Sequence, residues 1–259
     1  MILKIPKLYT EEKIGQGPKK NIIIYLISNE NELHLKIVTT DEIKIVAADN
    51  SNNHYCITSN KNDVDDNCEY VLLAKKFTSN DVQNSLIAVT HWLKHPQKNN
   101  HSVYSITNSW KNTFNFKEED PIEGNIGLRN PQIGAIHSIL GHLTNANDIA
   151  TVVLPTGTGK TETMMSILVA NRCEKLLVTV PSDPLRNQLA NKFSNFGLLK
   201  QLDKNGKSIL DQTAKYPKVG ILQTGFKTVE ELETFFDQCN VIISTMDLVA
   251  GRPFEQLEK

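Results

Sequence analysis

The sequence predicts an α/β fold with a parallel sheet in residues 121–259, preceded by an α+β module in residues 1–120. Three observations support this prediction. In the second region, continuous apolar runs alternate with amphipathic helical patterns, as is typical of parallel strands covered on both faces. A glycine-containing loop lies between one apolar run and the helix that follows it. The acidic stretch Lys117–Pro121 separates this region from an Asn- and Lys-rich one.

The composition is that of an ordinary globular protein. Of the 259 residues, 39% are hydrophobic and 22% are charged. Apolar runs are only as long as strands, and Met1–Thr10 lacks a continuous hydrophobic core, so we expect neither a membrane segment nor a secretion signal. The four cysteines form no CxxC pair, which favours a reducing compartment. We therefore expect a cytoplasmic protein.

The charge distribution gives no broad basic surface. The formal net charge is −1. Residues 1–125 carry 14 lysines and 16 acidic residues, and residues 126–259 carry 14 basic and 13 acidic residues. Any contact with nucleic acid must therefore be a local groove. All four arginines lie in the second half, which is where phosphate chemistry is expected.

The first region reads as a small α+β module. Apolar runs separated by polar turns predict strands at Asn21–Ile27, Leu33–Val38 and Ile43–Val46. The spacing of apolar residues after Ser79 predicts a helix that continues to Leu93 and is closed by Pro96.

The second region alternates between helix and strand from its start. We predict helices at Pro131–Leu143, Gly159–Asn171, Pro184–Phe196 and Val229–Gln238. We predict strands at Ile149–Leu154, Lys175–Val180, Val219–Gln223 and Val241–Ser244.

The strongest signal is the loop between the strand at Ile149–Leu154 and the next helix. Its sequence is Pro155-Thr156-Gly157-Thr158-Gly159-Lys160-Thr161. Glycines let successive N–H groups turn inward toward a phosphate, and the helix N-terminus adds unpaired donors. A lysine in this position reaches the outer phosphates of a nucleotide, and a threonine hydroxyl ligates Mg²⁺. The motif GxxxxGK[ST] is met except at its first position, which is Leu154. An incidental Gly-turn before a helix is the other interpretation.

This stretch and three others, in the same order, resemble the first RecA-like domain of superfamily 2 helicases, of the DEAD/DEAH and type III restriction-subunit kind. Leu128–Ile136 resembles the Q-motif, Val180–Gln188 resembles motif Ia, and Val241–Leu248 resembles motif Ib. Together they cover about residues 126–250. Such proteins tolerate other residues at the first loop position, so Leu154 does not weaken the match.

The resemblance implies ATP and Mg²⁺ as cofactors and a nucleic acid as partner, with DNA favoured over RNA. It implies that Gln132 reads the adenine edge, and that residues of motifs Ia and Ib grip the nucleic-acid backbone: Pro181, Arg186, Gln188 and Thr245. Restriction or phage defence, with other subunits of such a complex, follows by analogy only. Two plainer interpretations stay open, namely that Gln132 is an exposed helix residue and Arg186 a solvated charge.

The carboxylates that hydrolysis needs are missing from the sequence. In the resembled family a DEAH-like motif at the end of a later buried strand supplies them, and no such motif occurs here. Asp247 follows an apolar run, but its segment matches motif Ib instead. We therefore expect a truncated helicase or a fragment of one, which alone binds nucleotide poorly and turns it over slowly or not at all.

Several alternatives remain open. A P-loop phosphotransferase would need a lid with arginines, and only Arg252 follows the later segments. A non-hydrolysing nucleotide-binding module, or a scaffold, is favoured for the isolated chain by the missing carboxylates. His91 and His95 with Cys56 and Cys68 would make a zinc site of unusual spacing. Four aromatic side chains could stack on bases, but packing explains their spacing better: Trp92, Trp110, Phe114 and Phe116.

Overall fold

The computed structural model describes residues 1–15, 18–41, 43–65, 67–99, 101–145 and 148–250. The described residues form a mixed α/β structure, which confirms the predicted fold class at that level. The strands are β1 Ile2–Ile5, β2 Leu8–Ile14, β3 Asn21–Ser28, β4 Asn31–His34, β5 Lys36–Thr40, β6 Lys44–Ala48, β7 His54–Thr58, β8 Tyr70–Ala74, β9 Val89–Lys94, β10 Leu176–Val180, β11 Lys218–Ile221 and β12 Val241–Thr245. The helices are α1 Ser79–Gln83, α2 Val103–Ser109, α3 Asn130–His142, α4 Lys160–Ala170, α5 Asp183–Asn195, α6 Val229–Asp237 and α7 Met246–Ala250.

The chain divides into two compact units. Residues 1–10 and 26–101 form the first unit, and residues 11–25 and 102–259 form the second. These units do not coincide with the predicted division at residue 120. An N-terminal segment belongs to the second unit because β3 pairs with a strand of its sheet.

The first unit is built mainly from antiparallel strands. Its larger sheet has the order β5-β6-β7-β8-β9, and β1 pairs with β4 in a separate two-stranded sheet. Strands β1 and β6 alternate buried and less buried positions, because one face of each strand is turned to the core. That core includes Leu3, Ile45, Ile57, Leu72 and Trp92.

The helix predicted from Ser79 to Leu93 is wrong beyond its first turns. Helix α1 ends at Gln83, and Ser85 then adopts a positive φ of 57°, which turns the chain. Strand β9 follows and pairs antiparallel with β8, with Trp92 opposite Leu72. The apolar spacing suited a helix, but pairing with a distant strand decided the outcome. The strand predicted at Leu33–Val38 is likewise divided between β4 and β5.

The second unit contains a five-stranded mixed sheet of order β10-β12-β11-β3-β2. Strand β12 runs parallel to both β10 and β11. Strand β3 runs antiparallel to β11, with Ile22 opposite Ile221 and Ile24 opposite Val219. The three parallel strands therefore end at one edge, and the residues that precede β3 reach that same edge.

Helices pack against this sheet as the alternation of the sequence predicts. Helix α5 packs on β10, β11 and β12, and α3 packs on α4. One hydrophobic cluster joins Ile23 of β3 to Leu222, Phe235, Cys239 and Ile242. Strand β3 therefore shares a core with helix α6 and strand β12.

The strand predicted at Ile149–Leu154 does not form. Within the described part of the chain, residues 148–155 belong to no strand. Ile149 is 88% exposed and Val153 is 87% exposed. Strand β10 ends the sheet on its side and pairs only with β12 among the described strands. An apolar run becomes a buried strand only where a neighbouring strand pairs with its backbone groups, and this run has no such neighbour.

No helix among the described residues is long and apolar enough to cross a membrane.

The link between β3 and the loop after β11 gives a stability prediction. The Oδ1 atom of Asn21 accepts hydrogen bonds from the N–H groups of Gln223 at 2.8 Å and Thr224 at 3.0 Å. We expect Asn21→Ala to lower the free energy of unfolding by about 1–3 kcal/mol, because two N–H groups lose their acceptor. Urea unfolding measures this change.

The control for that measurement is Asn187→Ala, which truncates an exposed asparagine on α5. It should change stability by less than about 0.5 kcal/mol. Equal effects of the two substitutions would contradict the importance of this link.

Candidate nucleotide and nucleic-acid site

Two glycines in the left-handed backbone region shape the loop before α4. Gly157 has a φ of 84° and Gly159 a φ of 85°, which is the left-handed region. Other residues enter this region at a cost, so glycine is the suitable residue at both positions. Gly159 caps α4, which begins at Lys160. The free N–H groups of the first helical turn consequently lie next to the loop.

The polar side chains of the loop face its own backbone or the solvent. Thr158 Oγ1 donates to the Pro155 carbonyl at 2.7 Å, and Lys160 Nζ donates to the same oxygen at 3.1 Å. Lys160 and Thr156 are exposed, whereas Thr161 is half-buried in the first turn of α4. An exposed ammonium beside a helix N-terminus is suited to binding a phosphate, and a hydroxyl in the first turn is suited to ligating Mg²⁺.

Gln132 connects α3 to this loop. Its Oε1 accepts from the backbone N–H of Arg129 at 2.7 Å, and its Nε2 donates to the Gly159 carbonyl at 3.0 Å. The first bond is half of a capping box, in which the third helical residue reaches back to the residue before the helix. Gln132 is only 2% exposed, so it is not the exposed helix residue of the plainer interpretation. Its reading of adenine stays a prediction.

Two further residues at the loop were missed by sequence reasoning. Arg129 Nη1 donates to the Gly157 carbonyl at 2.8 Å, and Arg129 Nε pairs with Glu119 at 3.2 Å. The guanidinium-bearing side chain is 53% exposed. Arg129 lies within the Q-motif-like stretch, so its position three residues before Gln132 was a usable signal. Glu119 gave no such signal, since only the fold brings it to Arg129.

The carboxylate next in sequence to the loop is engaged in the protein. Glu162 Oε1 lies 2.8 Å from Lys192 Nζ, and the Glu162 side chain is 13% exposed. This ion pair joins α4 to α5. Asp247, the other carboxylate considered from the sequence, is exposed in the short helix α7.

The residues predicted to contact nucleic acid lie at or after the carboxyl ends of parallel strands. Pro181 directly follows β10, Gln188 lies on α5, and Thr245 ends β12. Pro181 and Gln188 are exposed, and Thr245 is half-buried. The carboxyl edge of a parallel sheet is where ligands bind in such folds.

Arg186 differs from these residues because it is buried. It is 5% exposed, and its Nη1 lies 2.8 Å from Asp183 Oδ1 and 3.3 Å from the Leu222 carbonyl. The guanidinium therefore joins α5 to the end of β11, and its charge faces a carboxylate. Arg186 is not the solvated helix charge of the plainer interpretation.

The described residues do not support the zinc alternative. Among them, no group of three or more His, Cys, Asp or Glu side chains is placed to hold a metal. His91 and His95 lie near or on β9, not on a helix. Burial lowers the pKa of His95 to about 4, with Lys98 acting in the same direction, and its ring contacts Tyr70 and Trp92. Cys56 and Cys68 are buried, and burial raises the pKa of both thiols.

The aromatic residues considered for base stacking are mostly packed. Trp92 is 8% exposed and Trp110 is 1% exposed. Phe116 is more exposed, and its ring stacks on His137 with centroids 4.3 Å apart.

A comparison with protein families matches part of the second unit. Residues 125–251 match the family of the type III restriction enzyme res subunit. This is a helicase-like domain of superfamily 2, and the match confirms the resemblance drawn from the four motif-like stretches. No curated protein and no solved structure is detectably similar to the chain.

The match to the res-subunit family spans every residue that the sequence predicts to contact nucleotide or nucleic acid. It includes Gln132, the loop at Pro155–Thr161, the segment Pro181–Gln188 and Thr245. It excludes residues 11–25, although these complete the sheet of the second unit. Arg252, on which the phosphotransferase alternative depended, lies outside the described residues.

The two loop glycines give a prediction that tests the role of Gln132. A Cβ at Gly159 would overlap Nε2 of Gln132, whereas a Cβ at Gly157 would meet nothing within 4 Å. Both substitutions to alanine carry the cost of the left-handed backbone, about 1–2 kcal/mol. Gly159→Ala should cost about 1–2 kcal/mol more in urea unfolding, because it displaces the Gln132 amide from its two partners.

Gly157→Ala is thus the matched control, and a double-mutant cycle isolates the contact. In a Gln132→Ala background, Gly159→Ala should cost no more than Gly157→Ala. An unchanged excess cost in that background would show that Gln132 does not hold the loop.

Proposed function

We propose that this chain is the ATP-binding part of an ATP-dependent nucleic-acid helicase or translocase, built on a RecA-like domain. The observation that carries the proposal is the loop at Pro155–Thr161, with two left-handed glycines that lead into the N-terminus of α4. The match of residues 125–251 to a helicase-like family supports it. DNA is favoured over RNA, and restriction or phage defence is the favoured context, with other subunits as partners and the cytoplasm as location.

The nucleotide site consists of the loop and the first turn of α4. Thr156, Gly157, Thr158 and Gly159 present backbone N–H groups to the phosphates of ATP. Lys160 exchanges its hydrogen bond with the Pro155 carbonyl for one with the outer phosphates. The Thr161 hydroxyl ligates Mg²⁺, which neutralises phosphate charge when bound.

Gln132 has two roles in this proposal. It holds Gly159 through its Nε2 atom, and it contributes to recognition of adenine. An amide nitrogen carries two donors and an amide oxygen two acceptor positions, so each atom keeps capacity for a second partner. Because Gln132 is buried, adenine recognition requires a shift of α3 or of the segment before it.

The nucleic-acid contacts lie at the carboxyl edge of β10 and β12. Pro181, Gln188 and Thr245 contact sugar and phosphate groups, so binding is independent of sequence. Arg186 contributes through Asp183 and the Leu222 carbonyl, which it holds in place at this edge.

A second candidate is a non-hydrolysing nucleotide-binding or interaction module. The observation that favours this candidate is the ion pair between Glu162 and Lys192, because a carboxylate held in this pair is not available to orient water. Both candidates require nucleotide binding, and they differ in turnover. Steady-state release of phosphate, with and without nucleic acid, separates them.

Titration with a fluorescent ATP analogue and Mg²⁺ tests the nucleotide site. We expect Lys160→Ala to weaken ATP binding by at least about 10-fold, because Lys160 is the one cationic side chain within the loop segment Pro155–Thr161. Lys111→Ala, an exposed lysine outside the site, is the control and should bind as the unmodified chain does.

Competition by ATP and GTP in parallel tests the role of Gln132 in base recognition. If the Gln132 amide recognises adenine, Gln132→Ala should weaken the binding of ATP more than that of GTP. If the amide only holds the loop, the substitution should weaken the binding of both nucleotides equally. Undetectable binding of ATP at millimolar concentration by the folded chain would contradict the proposal.

A further inference from the structure

The proposed nucleic-acid contacts carry almost no available positive charge. Pro181, Gln188 and Thr245 are uncharged. Arg186 is buried and faces Asp183 at 2.8 Å. Asp247 adds an exposed carboxylate just after β12. Nucleic-acid backbones are bound chiefly by cations that displace counterions. Positive charge supplied by another element would therefore strengthen binding at this edge.

Residues 18–20, the described part of the turn between β2 and β3, reach this edge. Strand β3 is antiparallel to β11 with Ile22 opposite Ile221, which is the last residue of β11. Residues before Ile22 consequently extend beyond the carboxyl end of the parallel strands. The turn belongs to the second unit by its contacts, although it lies more than 100 residues from the loop at Pro155–Thr161 in sequence.

Asn21 fixes the start of β3 to the loop that follows β11. It is 1% exposed, and its Oδ1 accepts from the N–H groups of Gln223 and Thr224. The Leu222 carbonyl at the start of the same loop accepts from Arg186. The position of the turn is thus set by hydrogen bonds to the edge at which Pro181 and Thr245 lie.

Lys19 and Lys20 directly precede Asn21 and are exposed. Within the described ranges, neither lysine forms an ion pair. Neighbouring strands lie about 4.8 Å apart, so the three steps from β10 to β3 span about 14 Å. Measured along the axis of a duplex, that distance corresponds to about four phosphates of one strand.

We infer that residues 18–20, which lead into β3, are part of the nucleic-acid interface, where Lys19 and Lys20 bind backbone phosphates and Asn21 is a positioning residue. This inference rests on the proposed function, because it extends the same edge. Lysine contacts of this kind recognise phosphate charge and not base sequence. The turn lies outside the segment matched to the family, residues 125–251.

Fluorescence anisotropy with a labelled single-stranded oligonucleotide of about 16 nucleotides tests the inference on the full 259-residue chain. The test variant is Lys19→Ala/Lys20→Ala. Its affinity for the oligonucleotide should fall roughly tenfold. The slope of the logarithm of the binding constant against the logarithm of the salt concentration should decrease in magnitude by about 1.4, because each lost phosphate contact on a single strand removes about 0.7.

Two matched variants separate a local contact from a change in total charge or folding. Lys111→Ala/Lys215→Ala removes the same charge near α2, which is bonded to Asn240 at the opposite, amino-terminal end of β12. It should bind as the unmodified chain does. Lys19→Arg/Lys20→Arg keeps the charge and should retain the affinity and the salt slope, and thermal melting verifies the folding of each variant.

The outcomes distinguish the two proposals. If the unmodified chain binds the oligonucleotide and Lys19→Ala/Lys20→Ala binds equally well with the same salt slope, the inference is overturned and the proposed function stands. An equal loss in the Lys111→Ala/Lys215→Ala control also overturns it, because the effect is then one of net charge. If the unmodified chain shows no binding, the nucleic-acid part of the proposed function fails, and the role of the turn fails with it.

Discussion

Parallel pairing of β12 with both β10 and β11 determines where the candidate nucleic-acid residues lie. Because the three strands run in one direction, their carboxyl ends meet at one edge, and Pro181, Leu222 and Thr245 are brought together there from distant parts of the sequence. The antiparallel addition of β3 brings a fourth segment to the same edge. Bonds from Asn21 and Arg186 then fix the loop after β11 between these strands.

The nucleotide loop depends on a different set of contacts. Two left-handed glycines shape it, and α3 holds it through Gln132 and through Arg129 at the start of the helix. The Gly159 carbonyl accepts from Gln132, and the Gly157 carbonyl accepts from Arg129, so both glycines are tied to one segment. That segment is in turn held by Glu119. The shape of the loop is thus set before any phosphate binds, which reduces the entropic cost of binding.

Local signals predicted the second unit well and the first unit poorly. The helices α3, α4, α5 and α6 and the strands β10 and β12 follow from strong periodicity and from clear caps, such as Gly159. The strand predicted at Ile149–Leu154 was wrong, because the apolar character of a segment does not show whether another strand is present to pair with it. Trp92 was assigned to a helix because the spacing of the apolar residues around it fits a helix as well as a strand. Pairing with Leu72 of β8 places it in a strand. Asn21 and Glu119 carried no local signal, since only the fold brings Asn21 to the loop after β11 and Glu119 to Arg129.

The central claim is that the loop at Pro155–Thr161 binds the phosphates of a nucleotide through its backbone N–H groups. Hydrogen exchange of the amides of residues 156–162, measured with and without Mg²⁺ and ATP, tests this claim most directly. If the loop binds the phosphates, these amides exchange more slowly, with smaller changes at Arg129 and Gln132, which contact the loop. Unchanged exchange in the loop at millimolar ATP, or protection confined to other segments, would contradict it.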